Sequence, residues 1–207
     1  VWLSSLIEFQ SQKILISRVV ISSVVPQVIF NLNELGNKYF DFAPIVVGKA
    51  NCKLPVNIRV DVGANVGADR IVNTVAAFDR YGGNLIVVDF GTATTFDVVD
   101  SDGAYIGGVI SPGVNLSLKA LHEAAAALPN IDVAKPNITI GTNTIACMKS
   151  GIFWGYIGLV KEICNQIIIE HGSPMTIIGT GGLAPLFSQG NKIFDVVDGE
   201  LTTHGLF

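Results

Sequence analysis

Residues 84–110, NLIVVDFGTATTFDVVDSDGAYIGGVI, decide the fold class of this 207-residue chain. The first run, NLIVVD, is almost wholly apolar, and a Phe-Gly-Thr link joins it to a second run, TTFDVV. A Ser-Asp-Gly turn then leads to a third run, AYIGGVI. Short apolar runs that are bounded by glycine-bearing turns are typical of strands in hairpins. The pattern therefore predicts a three-stranded antiparallel meander over residues 84–89, 94–99 and 104–110.

The segments after the meander show both helical and strand patterns. Apolar spacing predicts helices over residues 114–128 and 143–170. Short apolar runs predict strands over residues 175–178 and 193–197. An antiparallel meander that is followed by helices and further strands of one sheet is the order of a ribonuclease-H-like unit. We therefore expect one such unit from about residue 83 onward.

The segment before the meander resembles an incomplete copy of the same unit. Its patterns predict a strand over residues 14–25 and a helix over residues 27–39. A second strand and a second helix are predicted over residues 44–47 and 67–81. The hairpin that should open this copy has no counterpart in the sequence. We therefore predict an α/β protein with a duplicated ribonuclease-H-like fold, divided into residues 1–82 and 83–207, whose first half lacks its N-terminal hairpin.

Composition narrows the range of partners. The chain carries 13 Lys and Arg against 17 Asp and Glu, a net charge of −4, which argues against a nucleic-acid partner. Charged residues make up 14% of the chain, below the roughly 25% usual for soluble domains. Such a low fraction is expected for a membrane protein or for a protein that buries much of its surface in an oligomer. The most apolar stretch, residues 151–169, carries Lys161 and Glu162, so no membrane-spanning helix is predicted. We expect a homodimer without membrane contact.

The cysteines indicate the redox environment. Cys52, Cys147 and Cys164 are widely spaced, odd in number and form no Cys-x-x-Cys motif. Neither a disulfide framework nor a zinc site follows from such spacing. Free thiols are typical of a reducing compartment, so we expect a cytoplasmic protein.

An acid and a glycine turn stand at the end of the first strand of the meander. Asp89 follows a buried apolar run, where a carboxylate is costly unless it is paired or bound to a metal. Gly91 allows the backbone to approach a phosphate, and Thr92 adds a hydroxyl and an N–H group. These features favour a cation and phosphate site. An ordinary hairpin turn is the alternative.

The helix predicted over residues 67–81 opens with Gly-Ala-Asp-Arg. A helix N-terminus offers N–H groups and a dipole that favours anions, including the carboxylate form of Asp69 that a general base needs. Arg70 could form two hydrogen bonds with a carboxylate or a phosphate. The alternative is a capped helix start whose arginine pairs with a neighbouring acid.

Two further loops combine glycine with hydroxyl side chains beside predicted helices. They are residues 141–144, GTNT, and residues 179–182, GTGG. Each could be a simple cap or turn. Together with the two preceding motifs, they resemble the phosphate and nucleoside contacts of a nucleotide site.

Several longer motifs closely resemble those of type III pantothenate kinases, in the same order and over nearly the whole chain. They are GADRIVN (67–73), VVDFGTATTFDVVD (87–100), YIGGVISPGVNLSLKAL (105–121), IGTNTIACMKSGIFWGY (140–156) and TGGLAPLF (180–187). That family belongs to the superfamily of sugar kinases, heat-shock chaperones and actin. The resemblance implies the actin-like ATPase fold, in which two ribonuclease-H-like halves enclose a nucleotide cleft.

The resemblance also implies an activity. The family transfers a phosphoryl group from ATP, which carries a divalent cation such as magnesium, to the hydroxyl of pantothenate, the first step towards coenzyme A. At matching positions, Asp69 becomes the proton acceptor, Thr92 an ATP contact and Asp89 the ligand of a monovalent cation, potassium or ammonium. The implied pantothenate contacts are Gly67, Ala68, Asp69, Arg70 and Thr144. Family members form dimers with pantothenate near the subunit interface.

The sequence departs from the family pattern at its start. The family opens with a strand and an Asp-x-Gly-Asn-Thr phosphate loop, which nothing in VWLSSL (1–6) matches, so we expect the sequence to be part of a longer chain. Residues 58–62 also lack the aromatic residue that relatives often place near the substrate. Two other functions stay open: a non-catalytic ligand-binding or regulatory protein on the same fold, and a kinase for another small hydroxy acid.

Overall fold

The computed structural model describes residues 16–23, 25–40, 42–49, 51–125 and 128–207. These residues form two compact units. The first contains the described part of residues 1–54 together with residues 67–69 and 206. The second contains residues 55–66, 70–205 and 207.

The described residues of the first unit hold two short parallel strands and one helix. Strand β1 is Val20–Ile21, helix α1 is Pro26–Phe40 and strand β2 is Ile45–Val46. The predicted helix is confirmed, with Pro26 as its first residue, where a missing N–H group costs nothing. The predicted strand over residues 14–25 is wrong in length, because the described residues pair with β2 only at Val20–Ile21, while residues 14, 15 and 24 lie outside the description.

A five-stranded sheet forms the centre of the second unit. Its strands are β3 (Leu85–Phe90), β4 (Ala93–Val99), β5 (Tyr105–Pro112), β6 (Thr176–Gly181) and β7 (Val196–Val197). The spatial order is β5-β4-β3-β6-β7, in which β3, β4 and β5 are antiparallel neighbours and β6 and β7 pair in parallel. The predicted meander and the ribonuclease-H-like strand order are therefore confirmed.

Five helices accompany the sheet in the described residues. They are α2 (Ala68–Tyr81), α3 (Val114–Ala124), α4 (Thr144–His171), α5 (Ala184–Ser188) and α6 (Leu201–His204). Helix α3 ends earlier than the predicted residue 128, because Ala125 already has an extended backbone conformation. The predicted boundary between residues 82 and 83 falls between α2 and β3, where both glycines have positive φ. The division into two ribonuclease-H-like halves stays a prediction.

One predicted turn is part of a strand. Residues 179–182 were expected to form a glycine turn, but Gly179, Thr180 and Gly181 belong to β6. Parallel pairing with β3 aligns Gly179 with Val88 and Gly181 with Phe90. A Cβ at Gly179 would stand 2.9 Å from the ring of Phe194, so glycine here makes room for an aromatic side chain.

Helix α4 covers one face of the sheet with an apolar core. Phe153 and Val160 of α4 and Phe187 of α5 pack against Phe90 and Phe96 of the sheet. The helix starts at the cap of Asn143, whose side chain accepts a hydrogen bond from the Ala146 N–H, and ends at Gly172 with a φ of 76°. By length and composition α4 could cross a membrane, as core helices of soluble proteins also could.

Helix α2 covers the opposite face. Its residues Ala76 and Ala77 pack on Leu85, Val87 and Val99 in a smaller apolar cluster. Towards the hairpin between β3 and β4, the side chains on this face become polar. This change from apolar to polar along two neighbouring strands defines the place of the candidate site.

Candidate functional site

The polar end of the α2 face contains five side chains, which we call the polar cluster: Arg70, Asn73, Asp89, Thr95 and Asp97. In the antiparallel pairing, Asp89 lies opposite Thr95, and Val87 lies opposite Asp97. Because side chains alternate between the faces of a sheet, Asp89, Thr95 and Asp97 share one face. Helix α2 supplies Arg70 and Asn73 to the same face.

An amide and a hydroxyl group orient the carboxylate of Asp89. The Asn73 Nδ2 donates to Asp89 Oδ2 at 3.0 Å, and the Asn73 Oδ1 accepts a hydrogen bond of 2.7 Å from Thr202 Oγ1. Asn73 is buried, with 1% of its surface exposed. Helices α2 and α6 thus fix Asp89 at the carboxyl end of β3. Asp89 is half-buried and has a polar partner, while its role as a cation ligand stays a prediction.

Oxygen atoms converge beside Asp89 at the neighbouring strand β6. A Cβ at Gly181 would lie 2.5 Å from Asp89 Oδ1 and 2.7 Å from the carbonyl oxygen of Phe90. No group of three His, Cys, Asp or Glu side chains that could hold a metal occurs in the described parts of the chain. A carboxylate and a carbonyl oxygen without nitrogen or sulfur donors suit a hard cation such as potassium better than zinc.

Arg70 pairs with a buried acid on strand β4. Its Nε donates to Asp97 Oδ1 at 2.6 Å, and its guanidinium carbon lies 5.6 Å from the ring centre of Tyr105. Thr95 Oγ1 donates a hydrogen bond of 3.2 Å to Asp97 Oδ2. Arg70 thus pairs with an acid, as the alternative requires, but that acid lies 27 positions along the chain, and the role of Arg70 as a substrate contact stays a prediction.

Burial dominates the electrostatics of Asp97. The side chain is completely buried, and burial raises the pKa of its carboxyl group to about 6. The charge of Arg70 and the hydrogen bonds from Arg70, Thr95 and Tyr105 act in the opposite direction. Burial also raises the pKa of Tyr105 to about 12, and the nearby Asp97 adds to that shift.

Thr92 lies at the exposed tip of the hairpin between β3 and β4. A Cβ at Gly113 would overlap the carbonyl oxygen of Thr92, so the start of α3 lies directly against this tip. Gly113 is the N-cap of α3. The N-terminal N–H groups of α3, which can bind an anion, therefore lie next to the hairpin tip.

The other predicted site residues lie at two helix starts. Thr144 is the exposed first residue of α4, and loop 141–144 provides the Asn143 cap of that helix. Among the described residues, no hydrogen bond joins Thr144 to the polar cluster. Gly67, Ala68 and Asp69 belong to the first unit, where Ala68 is buried and Asp69 is exposed in the first turn of α2.

Three members of the arrangement were not predicted from the sequence: Asn73, Asp97 and Thr202. For Asp97 a signal existed, because an acid inside the run FDVV stands two positions after Thr95 and therefore shares its face. For Asn73 and Thr202 no local signal existed, since 129 positions separate the two residues.

The strand order and the acid-bearing hairpin define a protein of the actin-like ATPase fold. A solved structure described as a conserved putative Baf family transcriptional activator from Campylobacter jejuni aligns with a TM-score of 0.60 over 98% of this chain and 84% of that chain. The two sequences are 21% identical, so this likeness shows the fold alone.

Sequence comparisons identify the family. The sequence profile described as type III pantothenate kinase matches residues 1–166. The type III pantothenate kinase of Dinoroseobacter shibae is 63% identical over 206 residues, which cover 100% of this chain and 80% of the relative. The type III pantothenate kinase of Cereibacter sphaeroides is 65% identical with the same coverage. The chain belongs to the type III pantothenate kinase family.

Proposed function

We propose that this protein transfers the terminal phosphoryl group of ATP to the hydroxyl of pantothenate and so forms 4′-phosphopantothenate. Family membership over the whole chain is the observation that carries this proposal. Phosphoryl transfer requires mainly positioning and charge neutralisation. A positioned base, an anion-binding hairpin and cations are therefore sufficient, and the chain offers residues for each.

Asp69 is the proposed base that accepts the proton of the attacking hydroxyl group. It stands in the first turn of α2 and is exposed, as a group that meets a substrate must be. Gly67, Ala68, Arg70 and Thr144 are the proposed contacts with pantothenate, in line with their positions in the family motifs.

The hairpin tip is the proposed contact with ATP. Thr92 offers a hydroxyl group there, and the neighbouring start of α3 offers N–H groups to phosphate oxygens. A divalent cation such as magnesium accompanies ATP in this chemistry and neutralises charge that develops on the transferred phosphoryl group.

Asp89 is the proposed ligand of a monovalent cation. Its Oδ1 and the carbonyl oxygen of Phe90 converge beside Gly181, while Asn73 holds the other carboxylate oxygen. When bound, potassium or ammonium would add positive charge next to the phosphate-binding hairpin. The residues of the chain supply the oxygen donors and fix their direction.

A cytoplasmic homodimer is the proposed form of the enzyme. Gly151, Gly155 and Gly158 of α4 are exposed, and apart from their chain neighbours and the nearby backbone of the helix, no described atom lies within 4 Å of where their Cβ atoms would stand. They therefore do not serve packing inside the described chain. A glycine-bearing face on a long apolar helix supports close approach of a second subunit.

A substrate assay with the full-length protein tests the proposed function. ATP-dependent phosphorylation should be observed with pantothenate and should be at least about a hundredfold less efficient with other small hydroxy acids. Product can be measured by mass spectrometry, so that simple ATP hydrolysis is not counted. A preference for another acid would mean that this acid, and not pantothenate, is the substrate. Binding without phosphorylation of any acid would favour a non-catalytic protein.

A further inference from the structure

Asp97 is a buried charge for which the proposed reaction has no use. It lies on β4 between Phe96 and Val98, and its side chain is completely inaccessible to solvent. Removing a carboxylate from water costs free energy that its partners must offset. Apolar neighbours such as Val87 and Val99 fill equivalent places on the same face. An acid at this position therefore requires an explanation beyond packing.

Among the partners of Asp97 is the guanidinium of Arg70, which neighbouring groups enclose. The Nε of Arg70 donates to Asp97 Oδ1, and the ring of Tyr105 lies beside the guanidinium. Strand β5 closes a further side, because a Cβ at Gly108 would stand 2.7 Å from Arg70 Nη2. Only 16% of the Arg70 side chain is exposed. Its head group is thus confined to one orientation.

A second feature indicates that Asp97 itself is held in place. Thr95 Oγ1 donates to Asp97 Oδ2, so the two carboxylate oxygens have different partners and the plane of the carboxylate is defined. The order of contacts runs from Thr95 through Asp97 to Arg70. Each link lies within the second unit of the chain.

We propose that Asp97 is a positioning residue that fixes the guanidinium of Arg70 for binding pantothenate. This inference rests on the proposed function, in which Arg70 contacts that substrate. A long arginine side chain loses conformational freedom when it binds a ligand, and a side chain that is already held loses less. The guanidinium also binds oxygen atoms best in a defined plane. Asp97 supplies that plane without touching the substrate.

The test compares Asp97→Asn with the control Asp102→Asn in the full-length enzyme. Both changes remove one carboxylate from the region of β4 and β5, but Asp102 is exposed and lies near Arg59. We expect Asp97→Asn to raise the KM for pantothenate about tenfold, while the KM for ATP and kcat change less than about twofold. Asp102→Asn should leave all three constants unchanged. Equal shifts in both KM values would overturn the inference.

A double-mutant cycle separates positioning from a general loosening of the fold. If Asp97 acts through Arg70, Asp97→Asn should have no further effect on the pantothenate KM in an Arg70→Ala background. Additive effects would contradict the inference. If Arg70→Ala alone leaves the pantothenate KM unchanged, then Arg70 does not contact pantothenate. That result would contradict the proposed substrate contact, and it differs from the additive effects that would contradict the role of Asp97.

A milder variant covers the case in which Asp97→Asn does not fold. Thr95→Val removes the hydrogen bond to Asp97 Oδ2 and keeps the ion pair. It should raise the pantothenate KM about two- to threefold with an unchanged KM for ATP. An unchanged pantothenate KM in a folded Thr95→Val enzyme would overturn the inference.

Discussion

The two faces of the five-stranded sheet use neighbouring residues of the same strands for different purposes. On the α4 face, Phe90 and Phe96 belong to a large apolar core. On the α2 face, Asp89 and Asp97, each next to one of those phenylalanines in sequence, bind Asn73 and Arg70. The alternation of side chains along a strand therefore separates stability from chemistry by a single residue position.

This comparison assigns different effects to changes on the two faces. A truncation on the α4 face removes packing and should lower stability without altering the chemistry of the folded protein. A change on the polar end of the α2 face removes a directed contact and should alter activity more than stability.

The largest effect is expected for Phe153→Ala on the α4 face. Phe153 is completely buried, and its ring centre lies 5.5 Å from that of Phe187. Loss of this ring should lower the free energy of unfolding by about 3–5 kcal/mol. Urea unfolding measures this change.

The exposed residue Ile169 on the same helix provides a control for that variant. Ile169→Ala should change the free energy of unfolding by less than about 0.5 kcal/mol. Comparable losses in the two variants, or a loss below about 1 kcal/mol for Phe153→Ala, would contradict the division between the faces.

An intermediate effect is expected for Asp89→Asn on the α2 face. The wild-type enzyme should require potassium or ammonium, because the oxygen donors beside Gly181 suit such a cation. The variant should lose at least about tenfold in turnover and should no longer distinguish potassium from sodium. Steady-state rates in the two salts measure this ratio. Equal wild-type rates in a sodium-only buffer would contradict the proposed site for potassium or ammonium.

A third expected effect is a pH dependence of stability that arises from Asp97 on the α2 face. Burial raises the pKa of its carboxyl group from 3.8 to about 6, so the folded protein binds more protons than the unfolded chain between these values. The contribution of Asp97 to the free energy of unfolding should therefore fall as pH rises from about 4 to about 6 and stay constant above.

Urea unfolding of the wild type and of Asp97→Asn over this pH range isolates that contribution, since the variant lacks the titrating group. The stability of the wild type relative to the variant should decrease as pH rises to about 6. A relative stability that increases over the same range would mean that Arg70 outweighs burial.

Local signals were sufficient to predict most of the fold. The apolar runs and turns of residues 84–110 place the three antiparallel strands within two residues of their observed bounds. Gly179 and Gly181 were predicted as a turn from composition alone. Their place in β6 depends on pairing with Val88 and Phe90, which is a contact between distant parts of the chain.

The candidate site was predictable only in part for the same reason. An acid at the end of an apolar strand directed attention to Asp89, and a helix start directed attention to Asp69 and Arg70. The pair between Arg70 and Asp97 depends on how α2 lies on the sheet, which local sequence does not encode. The period of two in TTFDVV would have placed Asp97 on the same face as Thr95, although not beside Arg70.

The central claim is that α2 begins with the catalytic base of a pantothenate kinase, and turnover of Asp69→Asn in the full-length enzyme tests it most directly. Asp79→Asn, on the same helix and paired with His204, is the matched control. We expect kcat for pantothenate phosphorylation to fall about a hundredfold or more in Asp69→Asn, with little change in pantothenate binding and with the control unchanged. Turnover of Asp69→Asn at the wild-type rate would contradict the account.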